Sequence, residues 1–397
     1  MLPLLMACEV SEASLSAADS AVAETGADTA GDTGQAEEYD LIRDGKAEMV
    51  KPALRDRDRW KNARCNDGTP FGMEVVLPLE PSTTWVIFLG PGASCDDNAD
   101  LCASRLARQP ELTTTPPAED EERYEAPFGG IFSEDEGTNP AFAKANRVYA
   151  QYCSSDLWTG DTIDPRPAAD GQHWYFSGHA NVDAMMDVLI ERYGLDDEKP
   201  LDVLFTGSSA GGLGAHFNAR RVAARVPNAV NSERFKVLID AGWMVAWDDE
   251  RYRDGRATES DLEVRRAARE FWGGKFDPVC EDAEASDPAS CFFGATWYPH
   301  LAADFEVLVQ QSGTDAAFTA DHGIDPGDTQ ALQVWNRAVL ASFADAEVGW
   351  LFSGQQSYHT LEFRDDGLKF GPPGDQFGDV IGRFWAGGEP ERVIFGP

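Results

Sequence analysis

The chemistry in this chain centres on Gly207-Ser208-Ser209-Ala210-Gly211, its one Gly-x-Ser-x-Gly. A serine hydroxyl is a poor nucleophile until a base accepts its proton and an acid orients that base. The setting suits such a serine: an apolar run, Val203 to Phe205, leads in, and a helix-compatible stretch, Ala215 to Val226, leads out. That is the strand–turn–helix order of a nucleophile elbow, whose glycines allow a turn that would strain other residues. The Ala210 N–H would then sit at a helix start, where a developing oxyanion can be bound. The plain alternative is a glycine-rich turn without catalysis.

In the hydrolases that use this elbow the chain order is serine, acid, histidine. Beyond Ser209 the chain offers His216, His300, His322 and His359. His216 falls one to two turns into the helix after the elbow, where it points away or packs. His359 follows the apolar run Gly349 to Phe352 by a short loop, the place for the base. Asp315, just after the run Phe305 to Val309, is the expected acid. Asp240 is its rival and is read as tying down its own strand–loop junction. Further oxyanion donors are expected from Gly92 and Ala93, after the strand-like run Trp85 to Leu89. Pro91 has no N–H to give and serves as a rigid turn.

These groups need a scaffold that brings distant segments together. Apolar runs recur at 85–89, 147–152, 203–205, 235–239, 305–309 and 349–352, with amphipathic stretches between them. Val182, Met185, Met186, Leu189 and Ile190 mark one helical face, and Gly194 follows as a C-cap. Short strands alternating with helices predict an α/β fold, with a mainly parallel central sheet flanked by helices. Two stretches interrupt the alternation. Residues 105–130 read as a surface excursion without periodicity. Residues 245–300, with a charged helical segment from Asp261 to Phe271, read as a cap. A single catalytic domain spanning 41–397 is expected.

The chain has 397 residues, 42% of them hydrophobic, which is ample for a buried core. It carries 69 acidic against 33 basic residues, net −36. Such a surface repels phosphate backbones, so no nucleic-acid partner is expected. No apolar run approaches the roughly 18 residues of a spanning helix. Leu5-Met6-Ala7-Cys8 resembles a bacterial lipobox, giving residues 1–8 a signal role, with Cys8 as lipidation candidate and the one expected membrane link. Residues 9–40 hold nine acidic residues and no basic one among Ala, Ser, Thr and Gly. They are read as a disordered acidic tether. The expected location is therefore outside the cytoplasm, as a bacterial cell-surface lipoprotein or a secreted protein.

Seven cysteines occur, six besides Cys8, an even number suited to disulfides in an exported chain. Nearness in sequence suggests Cys95 with Cys102 and Cys280 with Cys291, leaving Cys65 with Cys153; other pairings stay open. No Cys-x-x-Cys pair exists, and Asp96-Asp97-Asn98-Ala99-Asp100 lacks the full spacing of a calcium loop. No metal or organic cofactor is expected.

Several short motifs, in order, resemble the pectin acetylesterase/Notum family of serine carboxylesterases. They are Cys65-Asn66-Asp67-Gly68-Thr69-Pro70, Trp85 to Cys95, Asn139-Pro140-Ala141-Phe142, Tyr152-Cys153-Ser154-Ser155, Thr159-Gly160-Asp161, Ser209-Ala210-Gly211-Gly212 and Asp240-Ala241-Gly242. The resemblance spans roughly residues 59–385. It implies an α/β-hydrolase-like fold, a paired Cys95/Cys102 loop, and Asp315 and His359 as acid and base. The family's oxyanion loop usually reads Glu-Gly-Gly before an aromatic residue, whereas this chain has Gly90-Pro91-Gly92-Ala93-Ser94. The resulting expectation is a monomeric serine carboxylesterase cleaving O-acyl esters, foremost O-acetyl. Its partner would be an acetylated saccharide or a small acyl ester. The alternatives are a Notum-like deacylase of longer chains and a surface glycan-binding protein that has lost catalysis.

Overall fold

Apolar runs of four to seven residues are too short for stable helices and long enough to cross a sheet, and this chain uses them so. The computed structural model describes residues 41–95, 99–125, 129–169, 171–195, 200–247 and 261–396. Cys8, the expected tether 9–40, Asp96 to Asn98 and residues 248–260 of the expected cap lie outside the described residues.

The strands are β1 (Ala47–Val50), β2 (Met73–Val76), β3 (Thr84–Leu89), β4 (Arg123–Tyr124), β5 (Asn146–Ala150), β6 (Arg166–Pro167), β7 (His173–Trp174), β8 (Asp202–Ser208), β9 (Phe235–Asp240), β10 (Glu306–Gln310), β11 (Trp350–Gly354) and β12 (Arg392–Phe395). Ten of them share one sheet in the order β12-β11-β10-β9-β8-β3-β5-β2-β1-β4, and β6 with β7 forms a small ribbon. From β12 to β5 the neighbours are parallel. β2, β1 and β4 close that edge antiparallel.

Alternation along β3 shows how the sheet is buried on both sides. Ile87 and Leu89 join a core with Phe205, Ile239, Val309 and the helix Gly178–Tyr193. Val86 and Phe88 face the opposite way, into a core with Leu238, Phe352 and the helix Phe377–Trp385. Period-two side chains with both faces covered are what a parallel sheet requires. The helix Gly178–Tyr193 buries Val182, Met185, Met186 and Leu189, and Gly194 ends it at φ 71° with its N–H on the Leu189 carbonyl.

The structure departs from the sequence reading in four places. The helix after the elbow starts at Ala210, where its N–H was expected at a helix start, and ends at Ala223 rather than Val226. Glycines at 211, 212 and 214 are poor helix formers, but close neighbours demand them: a Cβ on Gly211 would lie 1.9 Å from the Leu89 carbonyl oxygen and one on Gly214 would meet the Trp158 side chain. The run at 147–152 ends as a strand at Ala150, after which Tyr152 turns inward and its hydroxyl accepts the Leu157 N–H. The 105–130 excursion contains ordered pieces: the end of the helix Ala99–Arg108, a 3₁₀ turn at Pro110–Leu112, and β4. Finally, β1, β2, β4, β6, β7 and β12 were not anticipated.

Candidate active site

Four parallel strands deliver the candidate residues at their C-terminal ends, where open α/β sheets carry their sites. β8 runs into Ser209, β9 ends at Asp240, β10 leads to Asp315 and β11 to His359. Ser209 sits at φ 56°, ψ −119°, outside the regions that L-residues favour. Such a conformation costs on the order of 1–3 kcal/mol and holds the side chain clear of the sheet.

The three candidate side chains are in contact. The Ser209 hydroxyl lies 2.7 Å from His359 Nε2. His359 Nδ1 lies 2.8 and 2.9 Å from the two oxygens of Asp315. A carboxylate at Nδ1 fixes the proton there and leaves Nε2 to accept from the serine. Asp315 is fully buried, and its oxygens are otherwise held by donors. Oδ1 accepts the N–H groups of Ala317 and Phe318, because Asp315 also caps the short helix Ala316–Asp321. Oδ2 accepts Gln311 Nε2 at 2.8 Å, and Gln311 in turn accepts the Trp243 N–H. Burial opposes the imidazolium form of His359, but the hydrogen bond and charge of Asp315, with Asp240 and Asp321 beyond, outweigh it and raise its pKa.

His216 stacks on Trp297, with centroids 4.4 Å apart, in a fully buried position that keeps it neutral. His300 approaches Glu284, and His322 bonds to Asp261.

Gly92, Ala93 and Ala210 line one cavity with Ser209 and His359, of about 500 Å³. Its walls are largely apolar, with Leu112, Leu157, Leu213, Met244 and Phe318 among them. The loop carrying Gly92 and Ala93 is pinned at both ends. Gly90 gives its N–H to Ala150 and receives Trp158 Nε1 on its carbonyl at 3.2 Å. Cys95 gives its N–H to Ser155 and receives Trp272 Nε1 at 2.7 Å. A Cβ on Gly92 would come within 2.3 Å of the Tyr152 ring, so the loop can pack this closely only with glycine there.

Trp158 gets its direction from a strained stretch: Ser155, Leu157 and Trp158 all have φ between 50° and 64°. Beneath it, buried Asp156 accepts from the Ser154 hydroxyl and from the Trp158 and Gly178 N–H groups. Burial pushes its carboxyl up to about 6 against those bonds. Disulfides join Cys65 to Cys153, Cys95 to Cys102 and Cys280 to Cys291. Among the described residues no group of three or more His, Cys, Asp or Glu converges as metal ligands would.

Sequence reasoning missed Gln311, Trp158, Trp272 and the buried Glu362. Trp158 stands inside the Tyr152 to Asp161 motif run, which was a usable signal; the others carried none. Asp240 was misplaced. It does not tie down its own junction but accepts bonds from the segments of Ser209 and His359. Glu362 lies beside it, with the Thr206 hydroxyl donating to its carboxyl. Burial first, and then the Asp240 charge, raise Glu362 well above the usual carboxylate range. Burial pushes Asp240 up as well, to about 6, against the bonds it accepts from Ser208, Glu362 and Leu361.

Residues 44–343 match the pectinacetylesterase family. A planarian protein from Schmidtea mediterranea, palmitoleoyl-protein carboxylesterase NOTUM, is 31% identical over 251 residues, covering 60% of this chain and 44% of that one. The Homo sapiens protein of the same name is 30% identical over 264 residues, covering 65% of this chain and 50% of that one. The chain thus spans about half the length of these curated relatives. A solved structure of the Wnt deacylase Notum from Drosophila superposes with a TM-score of 0.75 at 23% identity, over 88% of this chain and 96% of that chain. This likeness shows the α/β-hydrolase-like fold.

Proposed function

The chain belongs to the pectinacetylesterase family, and on that premise we propose that it is a serine carboxylesterase acting through Ser209, His359 and Asp315. The observation that carries the reading is the unbroken hydrogen-bond path from the Ser209 hydroxyl through His359 to Asp315. Ser209 attacks the ester carbonyl as His359 takes its proton, and Asp315 stabilises the imidazolium. The Ala210, Gly92 and Ala93 N–H groups receive the oxyanion. Donors of this kind are worth on the order of 10²–10³ in rate each. His359 returns the proton to the departing alcohol, then activates water to release the acid from the acyl-enzyme.

The proposed acyl group is acetyl, on a neutral saccharide, since a chain of net charge −36 repels a polyanionic polymer. A second reading, removal of a longer acyl chain, is supported by the size and apolar walls of the cavity, which exceed what an acetyl group needs. The relatives named palmitoleoyl-protein carboxylesterases support it too. Three disulfides support export from the cytoplasm; lipidation at Cys8 and a monomeric state belong to the same proposal.

The test is turnover of p-nitrophenyl acetate and octanoate by the wild type and Ser209→Ala. The wild type is expected to hydrolyse one or both, and the variant to lose on the order of 10⁶ in kcat. Full activity in the variant removes Ser209 from the mechanism. Saccharide binding without turnover at any chain length would favour a binding protein instead.

A further inference from the structure

Asp240 closes β9 and is fully buried, yet its hydrogen bonds reach two other segments. Its backbone carbonyl accepts the Ser209 N–H at 2.8 Å. Its carboxylate accepts the Ser208 hydroxyl, the Leu361 N–H at 3.1 Å and the Glu362 N–H at 3.0 Å. These four donors all lie within three residues of Ser209 or His359. The elbow is also pressed against it: a Cβ on Gly212 would lie 2.6 Å from the Asp240 carbonyl oxygen.

We propose that Asp240 is a positioning residue that locks the nucleophile turn to the loop bearing the base, with its carbonyl on one and its carboxylate on both. This rests on the reading of Ser209 and His359 as nucleophile and base. The physical need is specific. Ser209 is in a left-handed conformation that its surroundings must impose, and His359 stands on a loop, the least constrained kind of segment. Asp315 orients the imidazole ring but bonds only to its edge. The backbone just beyond the ring is held by Asp240. A small shift of either partner lengthens a serine–imidazole distance on which proton transfer depends.

The experiment is Asp240→Asn in the full chain, measured beside Ser209→Ala and Ser208→Ala. The amide keeps the shape but loses the charge and turns an NH₂ toward the donors. For p-nitrophenyl ester turnover, kcat should fall on the order of 10²-fold per folded molecule, with KM nearly unchanged. The downfield proton resonance of the His359–Asp315 bond should broaden or disappear. Ser208→Ala, which leaves both backbone bonds to the base loop, should retain kcat within about tenfold. Wild-type kcat and an unchanged His359 resonance in Asp240→Asn overturn the proposal. Turnover surviving Ser209→Ala overturns instead the reading on which it stands. Should Asp240→Asn not fold, hydrogen exchange in the wild type decides. The 361 and 362 amides should exchange as slowly as those of β9, and exchange at the rate of an open loop overturns the proposal.

Discussion

Trp158 Nε1 donates to the Gly90 carbonyl oxygen at 3.2 Å, a bond between residues 68 positions apart. It orients the start of the loop on which Gly92 and Ala93 lie, and Trp272 does the same for the end of that loop at Cys95. An oxyanion hole works only when its donors are aimed before the charge appears. Two indoles would give that rigidity to the proposed Gly92 and Ala93 donors.

Trp158→Phe and Trp272→Phe keep most of the ring and remove only the N–H. Each should lower kcat for short-chain esters about tenfold with little change in KM, because the loop loosens while the cavity remains. Unaltered kcat in both variants would mean that packing and the Cys95–Cys102 bond hold the loop unaided.

Asp315→Asn should lower kcat on the order of 10⁴-fold, since an amide no longer holds the proton on Nδ1. Gln311→Ala should cost far less, about tenfold, by freeing one oxygen of Asp315. Equal losses in the two variants, measured by steady-state kinetics, would contradict this division of labour.

The pH profile follows from the raised pKa of His359. Only the neutral imidazole can take the serine proton, so kcat/KM should fall as pH drops through that pKa. The midpoint should lie above the ordinary histidine value of 6.5. Asp315→Asn should move the midpoint downward, which residual activity between pH 5 and 9 can show. A wild-type midpoint below 6.5 would contradict the assignment of the base.

Glu362→Gln tests the buried carboxyl pair. The folded protein holds the Glu362 proton more tightly than the unfolded chain, whose value is near 4.5. Its contribution to stability is therefore complete below pH 4.5 and lost as pH rises through the folded pKa. Glutamine has no proton to lose. Denaturant unfolding should show the variant gaining on the wild type as pH rises from 5 towards 8. A difference independent of pH would mean that Glu362 is already charged at pH 5.

Much of this architecture was legible because it is local. Apolar runs mark strands by length and composition, and a glycine-framed serine between a strand and a helix marks a turn with few other uses. Chain order then pointed to Asp315 and His359, which the fold brings into one hydrogen-bonded chain with Ser209. What could not be read are interactions whose partners are far apart in sequence and chemically ordinary. The need for glycine at 211 was hidden, because the tight approach of the Leu89 carbonyl that requires it comes from a distant strand. The edge strands β1, β2 and β4 are short and take their identity from pairing. Asp240 looked like the end of its own strand, and only the packed fold shows its carboxylate turned to residues 361 and 362. Residue types and spacing determined which groups could react; the tertiary structure decided which buried groups hold them in place, because a hydrogen bond closing a long loop leaves no periodicity in the chain.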